Sequence, residues 1–240
     1  MWRATVLTLF PELFPGPLDV SILGRARANN LWSLDTVNIR DFSDNAYGSV
    51  DDTPAGGGAG MVMRADILAK AIDSTARDHR PVLAPSPRGR PFTQDEAAQL
   101  AKGDGVVVLC GRFEGIDERL LDARNIDEIS IGDFVLAGGE IPAMTLIEAC
   151  VRLIPDVVGN EMSLEEESFT SSEDGRLLEY PQYTRPREFE GRAIPETLLS
   201  GDHKRIADWR HAEAIRITRA RRPDLLASPP EGLPPKRSKP

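Results

Sequence analysis

The sequence has 240 residues, 40% of them hydrophobic and 28% charged, with a formal net charge of −9 at pH 7. That apolar content is enough to bury a core and excludes a disordered chain, and the length allows one large domain or two smaller ones. No apolar run approaches the ~20 residues of a membrane-spanning helix, and a net charge of −9 argues against a simple nucleic-acid coat.

The N-terminal stretch MWRATVLTLFPELF reads as a first strand over residues 2–10, closed by prolines. It is no signal peptide, because its apolar part is short, is cut at Pro11 and lacks a small-residue cleavage site. Residues 20–30 place Val20, Ile22, Leu23 and Ala26 at helical spacing and stop at Asn29-Asn30. Residues 33–40 alternate and read as a strand. Residues 41–60 form one long loop, a length that is functional or disordered as a rule, and residues 61–76 look helical. A short strand at 82–84 runs into the rigid turn Pro85-Ser86-Pro87-Arg88-Gly89-Arg90. Thr93 and Glu96 form a capping box that opens a helix to 101. Residues 106–110 are the most apolar strand and 117–123 a short helix. Short strands follow at 127–131 and 134–137. A strong helix covers 142–154, with Pro142 at its first position. Strand–helix alternation to residue 154 predicts an α/β fold with a parallel sheet.

The composition changes after that. Residues 159–175 (GNEMSLEEESFTSSEDG) are acidic, Ser-rich and poor in large apolar side chains, and read as a mobile linker. YPQYTRP and a helix over 203–222 follow, and the Pro-rich tail is expected to be disordered. The predicted organisation is 1–158, an α/β domain; 159–178, a flexible linker; 179–226, a small helical domain; and 227–240, the tail. From Pro181 onward there are 13 Lys/Arg and 8 Asp/Glu, net +5, against 16 and 30 before it, net −14. On charge alone a solvated helical surface is favoured over a docking surface for a polyanion.

Apolar runs that break at glycine at a strand's carboxyl end mark ligand sites in open α/β sheets. Residues 106–110 end at Gly111, and 134–137 end at Gly138-Gly139, with the acids Glu114 and Glu140 close by. One pocket built from two or three loops is the expectation. GGGAG (56–60) lacks the Lys-Ser/Thr of a phosphate loop, and no GxGxxG follows a strand. HxxxH, CxxC, HExxH and GxSxG are all missing from the sequence, so neither a metal site nor a serine nucleophile is predicted. His79, His203 and His211 read as surface residues. Cys110 and Cys150 read as reduced cytosolic thiols.

The strings CGRFEGID, SIGDFVLAGGE, PAMTLIEA and YPQYTRP closely resemble the bacterial tRNA (guanine-N1)-methyltransferase family of the SPOUT class, from Trp2 to about Leu226. The resemblance implies a cytoplasmic, S-adenosylmethionine-dependent enzyme that methylates N1 of guanine 37, 3′ to the anticodon. It also implies a parallel-sheet methyltransferase domain whose C-terminal part is a trefoil knot, followed by a small all-helical domain. Carried over residue by residue, the cofactor loops are Ala84, Pro85, Ser86 and Pro87; Gly111 and Glu114; and Ser130, Ile131, Gly132, Asp133, Phe134, Val135, Leu136, Gly138, Gly139 and Pro142. The implied partners are the tRNA anticodon stem-loop and a second copy of the chain. The resulting homodimer shares its active sites, and no membrane is involved.

Guanine N1 carries a proton, so the reaction needs a general base and a donor for the charge growing on O6. The resemblance assigns the O6 role to Arg152. The family's linker motif Glu-Asp-Ser appears here as Glu-Glu-Ser, which makes Glu167 the aligned base, with Glu166 as the alternative. The donor is already activated, so no metal is needed for the transfer; whether a divalent ion assists stays open. Two other readings stand beside this one: a SPOUT methyltransferase acting on another RNA position, and a non-enzymatic RNA-binding module.

Overall fold

The first strand, β1 (Trp2–Thr8), is buried almost continuously along both faces, as expected of a strand covered on both sides. In the computed structural model, which describes residues 1–75, 78–159 and 167–228, β1 lies inside a five-stranded sheet. The order is β2-β1-β6-β5-β7, with β2 at Trp32–Asn38, β5 at Val82–Pro91, β6 at Gly105–Leu109 and β7 at Ile126–Ser130. Every pairing in it is parallel.

Period-2 alternation splits the strands between two cores. Ala4, Val6, Val106, Val108 and Cys110 face one side, where they meet α1 (Ser21–Ala28), α3 (Gln94–Ala101) and α5 (Glu140–Val151). Leu7, Val107, Leu109 and Ala84 face the other side, where they meet α2 (Ala65–Ser74) and α4 (Glu118–Arg124). The predicted α/β class with a parallel sheet is what the chain adopts.

Several local expectations are corrected. Residues 134–137 are not a strand; the run joins no sheet, and Phe134, Val135 and Leu136 are 54%, 83% and 42% exposed. Helix α2 starts at Ala65, not at 61. Val62–Met63 form the short strand β4, paired with β3 (Asp51–Asp52). The reason is local: Met63 N–H donates to Gly115 O at 2.9 Å and Met63 O accepts from Asp117 N–H at 3.2 Å, so neither is left for a helix. The expected single loop 41–60 therefore contains β3, and it is preceded by a 3-10 turn at Ile39–Phe42. The turn after residue 84 is a loop-out within β5: Pro85 and Arg90 both pair with Ile129, and the ladder then resumes. Helix α5 begins at Glu140, capped by Gly139, so Pro142 sits third; a first-turn proline loses no helical hydrogen bond there. Thr93 caps α3 as expected, accepting from Glu96 N–H, while the Glu96 carboxylate is paired with Arg90.

The chain divides into two compact units, Met1–Gly159 and Asn160–Pro240. In the second, the stretch expected to be a flexible linker holds a hairpin, β8 (Ser171–Ser172) with β9 (Gly175–Arg176), in its described part. Asp174 O accepts from Ala227 N–H at 2.8 Å, which ties that hairpin to the end of the unit. A second hairpin, β10 (Glu188–Phe189) with β11 (Arg192–Ala193), and a one-turn helix, α6 (Glu196–Leu199), follow. Helix α7 (His203–Arg221) is capped by Asp202. Leu177, Ala214 and Leu226 form its small core, and Thr218 Oγ1 accepts from Leu178 N–H at 2.8 Å. No helix among the described residues is long and apolar enough to cross a membrane.

Cys110 and Cys150 are buried and unbonded. Burial pushes the Cys150 thiol up to about 12. Burial first, then the charge of Glu140, pushes the Cys110 thiol well above its ordinary value. Thiols of the unfolded chain ionise near ~8.5. Above that pH the folded state therefore keeps protons that the unfolded state releases, and stability falls as pH rises. A chromogenic disulfide reagent at pH 8 is expected to label neither cysteine until the chain is denatured; labelling of either in the native protein would contradict this.

Candidate ligand pocket at the ends of three strands

The carboxyl ends of β5, β6 and β7 enclose a cavity of about 380 Å³, within the ~300–1,000 Å³ usual for small-molecule sites. The first loop contributes Ala84, Pro85, Ser86 and Pro87, and the second Gly111 and Glu114. The third contributes Ser130, Ile131, Gly132, Phe134, Val135, Leu136, Gly138, Gly139 and Pro142. Asp133 is not among the lining residues. The structure adds Arg112 and Phe113, with Arg88 and Glu128 at the rim.

Each loop is held by its own contacts. In the first, Ser86 Oγ accepts from Arg88 N–H at 3.2 Å, and Arg88 pairs with Glu118 at 3.1 Å and Glu128 at 3.0 Å. In the second, Glu114 N–H donates to Met61 O at 2.9 Å. The Glu114 side chain lies against Gly60, where an added Cβ would stand 2.4 Å from it. The glycine loop 56–60 thus ends at the pocket wall. Phe113 sits at φ 59, strain of about 1–3 kcal/mol of the kind that clusters at ligand sites. In the third, Ser130 Oγ both donates to Gly132 O at 3.0 Å and accepts from its N–H at 3.2 Å.

The second and third loops are locked together. Gly139 N–H donates to Gly111 O at 2.9 Å. A Cβ on Gly139 would stand 2.8 Å from Cys110 Cα, so only glycine lets the two backbones pass this closely. Directly behind is a buried ionic clasp that the sequence did not reveal. Glu140 is 1% exposed; its Oε1 accepts from Thr8 Oγ1 at 2.7 Å, and its Oε2 meets Arg112 Nη2 at 2.8 Å. The Arg112 guanidinium lies 4.4 Å over the Phe10 ring, and its Nη1 donates to Ala137 O at 3.3 Å. One available signal was an acid directly after Gly138-Gly139 at the head of a helix that is apolar on nearly every side.

The two predicted catalytic residues lie outside this lining. Arg152 caps the end of α5, its N–H donating to Glu148 O at 3.1 Å. Glu167 belongs to the second unit, where its carbonyl accepts from Thr170 N–H at 3.3 Å and Thr170 Oγ1 at 2.8 Å. Glu166, the alternative base, lies outside the described residues. No group of three or more His, Cys, Asp and Glu that could hold a metal occurs among the described residues. His211 instead lies 2.9 Å from Asp174.

Backbone groups, apolar side chains and both signs of charge, Glu114 and Glu128 beside Arg88 and Arg112, line the pocket, which suits a small ligand with apolar and polar parts. Cys110, next to Gly111, belongs to the core rather than to the lining, and burial pushes its thiol up, so it offers the pocket no ready thiolate.

A family model described as "tRNA (Guanine-1)-methyltransferase TrmD" matches residues 2–228. A protein named tRNA (guanine-N(1)-)-methyltransferase from Rhodopseudomonas palustris (strain BisB18) is 61% identical over 240 residues, covering 100% of this chain and 93% of its own. A protein of the same name from Nitrobacter winogradskyi is 60% identical over 237 residues, 98% of each chain. Another from Chelativorans sp. (strain BNC1) is 61% identical over 226 residues, 93% of this chain and 94% of its own.

Proposed function

The chain belongs to the tRNA (guanine-N1)-methyltransferase family, and from that premise we propose that it transfers a methyl group from S-adenosylmethionine to N1 of guanine 37 in tRNA, in the cytoplasm. The observation that carries the reading is the convergence of the three loops on one cavity at the carboxyl ends of β5, β6 and β7. The residues fit the donor. The exposed apolar side chains of Phe134, Val135 and Leu136 can take the adenine, and the closely crossed backbones at Gly111 and Gly139 leave room beside it. Bound there, S-adenosylmethionine supplies a methyl group already activated by its sulfonium. The proposed cofactor-binding set is Ala84, Pro85, Ser86, Pro87, Gly111, Glu114, Ser130, Ile131, Gly132, Phe134, Val135, Leu136, Gly138, Gly139 and Pro142, with Asp133, which does not line the cavity, carried over from the resemblance alone. Membership of the family is what supports a trefoil knot in the C-terminal part of this domain.

The chain's own residues handle the acceptor. Glu167 takes the N1 proton, and Arg152 donates to O6 as negative charge grows there. A general base contributes about 10²–10⁴-fold, and one such donor about 10²–10³-fold. The basic side chains Lys204, Arg205, Arg210, Arg216, Arg219, Arg221 and Arg222 bind the anticodon stem-loop backbone. In a homodimer each active site is completed by the partner subunit. Proposed boundaries follow the sequence: 1–158 for the methyltransferase domain, 159–178 for the connecting segment, 179–226 for the tRNA-binding domain and 227–240 for the tail.

Arg152→Ala is expected to lower kcat by about 10²-fold or more with the Kd for S-adenosylmethionine unchanged. An unchanged kcat would remove Arg152 from the O6 role. The function itself is tested with labelled donor and two tRNA transcripts, one with guanine and one with adenosine at position 37. Label is expected only in the first; equal labelling would favour a SPOUT methyltransferase of another RNA position.

A further inference from the structure

The second unit holds a cavity of its own, about 220 Å³, smaller than a cofactor site. Its walls include Tyr180, Tyr183, Leu198, Leu199, Ile206 and Arg210. Two features set it apart from a packing defect. The guanidinium carbon of Arg210 lies over the Tyr180 ring, 4.7 Å from its centroid. Tyr183 makes a T-shaped contact with Trp209, centroids 6.1 Å apart at 62°, and is 47% exposed, so part of its ring surface is left for a ligand. A planar cation, two phenol rings and an aliphatic wall in a cleft sized for one ring system form a stacking slot.

The charge around the cleft says what would occupy it. Beside the wall residues Ile206 and Arg210, the first turn of helix α7 carries Lys204 and Arg205, with Asp208 the nearby acid on the helix. Lys204 and Arg205 directly precede the wall residue Ile206. Cations outside and aromatic faces inside match a nucleotide whose phosphate stays in solvent while its base enters. Unstacked RNA bases are recognised in this way, splayed onto aromatic rings and Arg planes.

We propose that this cleft is a nucleobase subsite, which takes one unstacked base of the bound tRNA outside the methyl-transfer pocket. The inference rests on the reading of the chain as a tRNA enzyme. It adds a second, non-reacting base contact, whose work is affinity and register rather than chemistry.

The test uses the full chain and a tRNA transcript. Tyr183→Ala is expected to weaken tRNA binding by about 5–150-fold, the range for losing one stacked base. Tyr183→Phe keeps the ring and should bind as the wild type does. Leu199→Trp, at the exposed rim, fills the cleft and should weaken binding as Tyr183→Ala does. Stacking releases no counterions, so the slope of log K against log salt should stay the same in all of them. Trp209 fluorescence should change on tRNA addition in the wild type and not in Leu199→Trp, once the signal of the new indole is subtracted. Wild-type affinity in Tyr183→Ala, or a shallower salt slope in that variant, would overturn the proposal. A change of oligomeric state in Tyr183→Ala or Leu199→Trp would also overturn it, by showing that a second copy of the chain fills the cleft. S-adenosylmethionine binding is measured beside each variant and should not move. A wild-type chain that binds tRNA but methylates no guanine would defeat the proposed function while leaving this test readable.

Discussion

Glu167→Gln is expected to lower kcat by about 10²-fold or more while leaving the Kd for S-adenosylmethionine within about twofold. Glutamine keeps the size and hydrogen-bonding shape of the side chain but cannot accept the N1 proton. In the proposed reading the donor is held by the three loops of the first unit, to which Glu167 does not belong. The surroundings of Glu167 sharpen the expectation. Its carbonyl is bonded twice by Thr170, Ser168 Oγ accepts from Glu179 N–H at 3.0 Å, and Phe169 N–H donates to Leu177 O at 2.8 Å. The residue therefore opens a tied turn rather than hanging on a free tether. A carboxylate one methylene longer than aspartate has to be placed by its backbone, because a misplacement of ~1 Å can lower the rate by about 10²-fold. On that argument Glu167→Asp should lose activity too, though less than Glu167→Gln. Full activity in Glu167→Gln would take the residue out of the mechanism and move attention to Glu166.

Arg112→Ala is expected to damage both stability and donor binding. It leaves the Glu140 carboxylate, 1% exposed, with Thr8 as its remaining partner in the clasp. Removing one member of a buried ion pair destabilises by about 3–5 kcal/mol. The Arg112 side chain is 22% exposed, so the low end applies, an unfolding midpoint lower by about 6–12 °C for a chain of this size. The same change frees Ala137 O and removes the guanidinium that fills the space behind Gly138. Loop 134–138 then loses its anchor, and S-adenosylmethionine affinity should fall about tenfold or more. Arg112→Lys keeps the charge but not the forked geometry, and should recover most of the stability and little of the affinity. Wild-type melting and affinity in Arg112→Ala would show that the clasp does not hold the pocket.

The sheet was legible because its central strands β1 and β6 are buried almost throughout and break soon after at Pro11 and Gly111. Residues 106–110 and 82–84 have no other reading. Residues 134–137 look the same in sequence, a short apolar run closed by glycine, yet they are exposed. The difference lies in whether a neighbouring strand has free hydrogen-bonding groups, which is a tertiary fact. β7 is bonded to β5, and the chain after it turns back toward Gly111 instead of adding another strand. The Arg112–Glu140–Thr8 clasp was hidden for a similar reason: its members lie 28 and 132 residues from Glu140. Nothing local marks either charge as buried. The hairpin at 171–176 was missed because its strands are two residues long and polar, and its support comes from Leu226 and Ala227 at the far end of the unit. Most of the pocket was legible through the resemblance; the contacts that stiffen it were not.

The proposed reaction is methylation of guanine N1 at position 37 by a donor held in the three-loop pocket. Its most direct test is digestion of an anticodon stem-loop transcript to nucleosides after incubation with the full chain and S-adenosylmethionine. A single new nucleoside is expected, N1-methylguanosine, formed by the wild type from a transcript with guanine at position 37, absent when adenosine stands there, and lost in Glu167→Gln. A methylated base at any other position, or a ribose-methylated product, would contradict it.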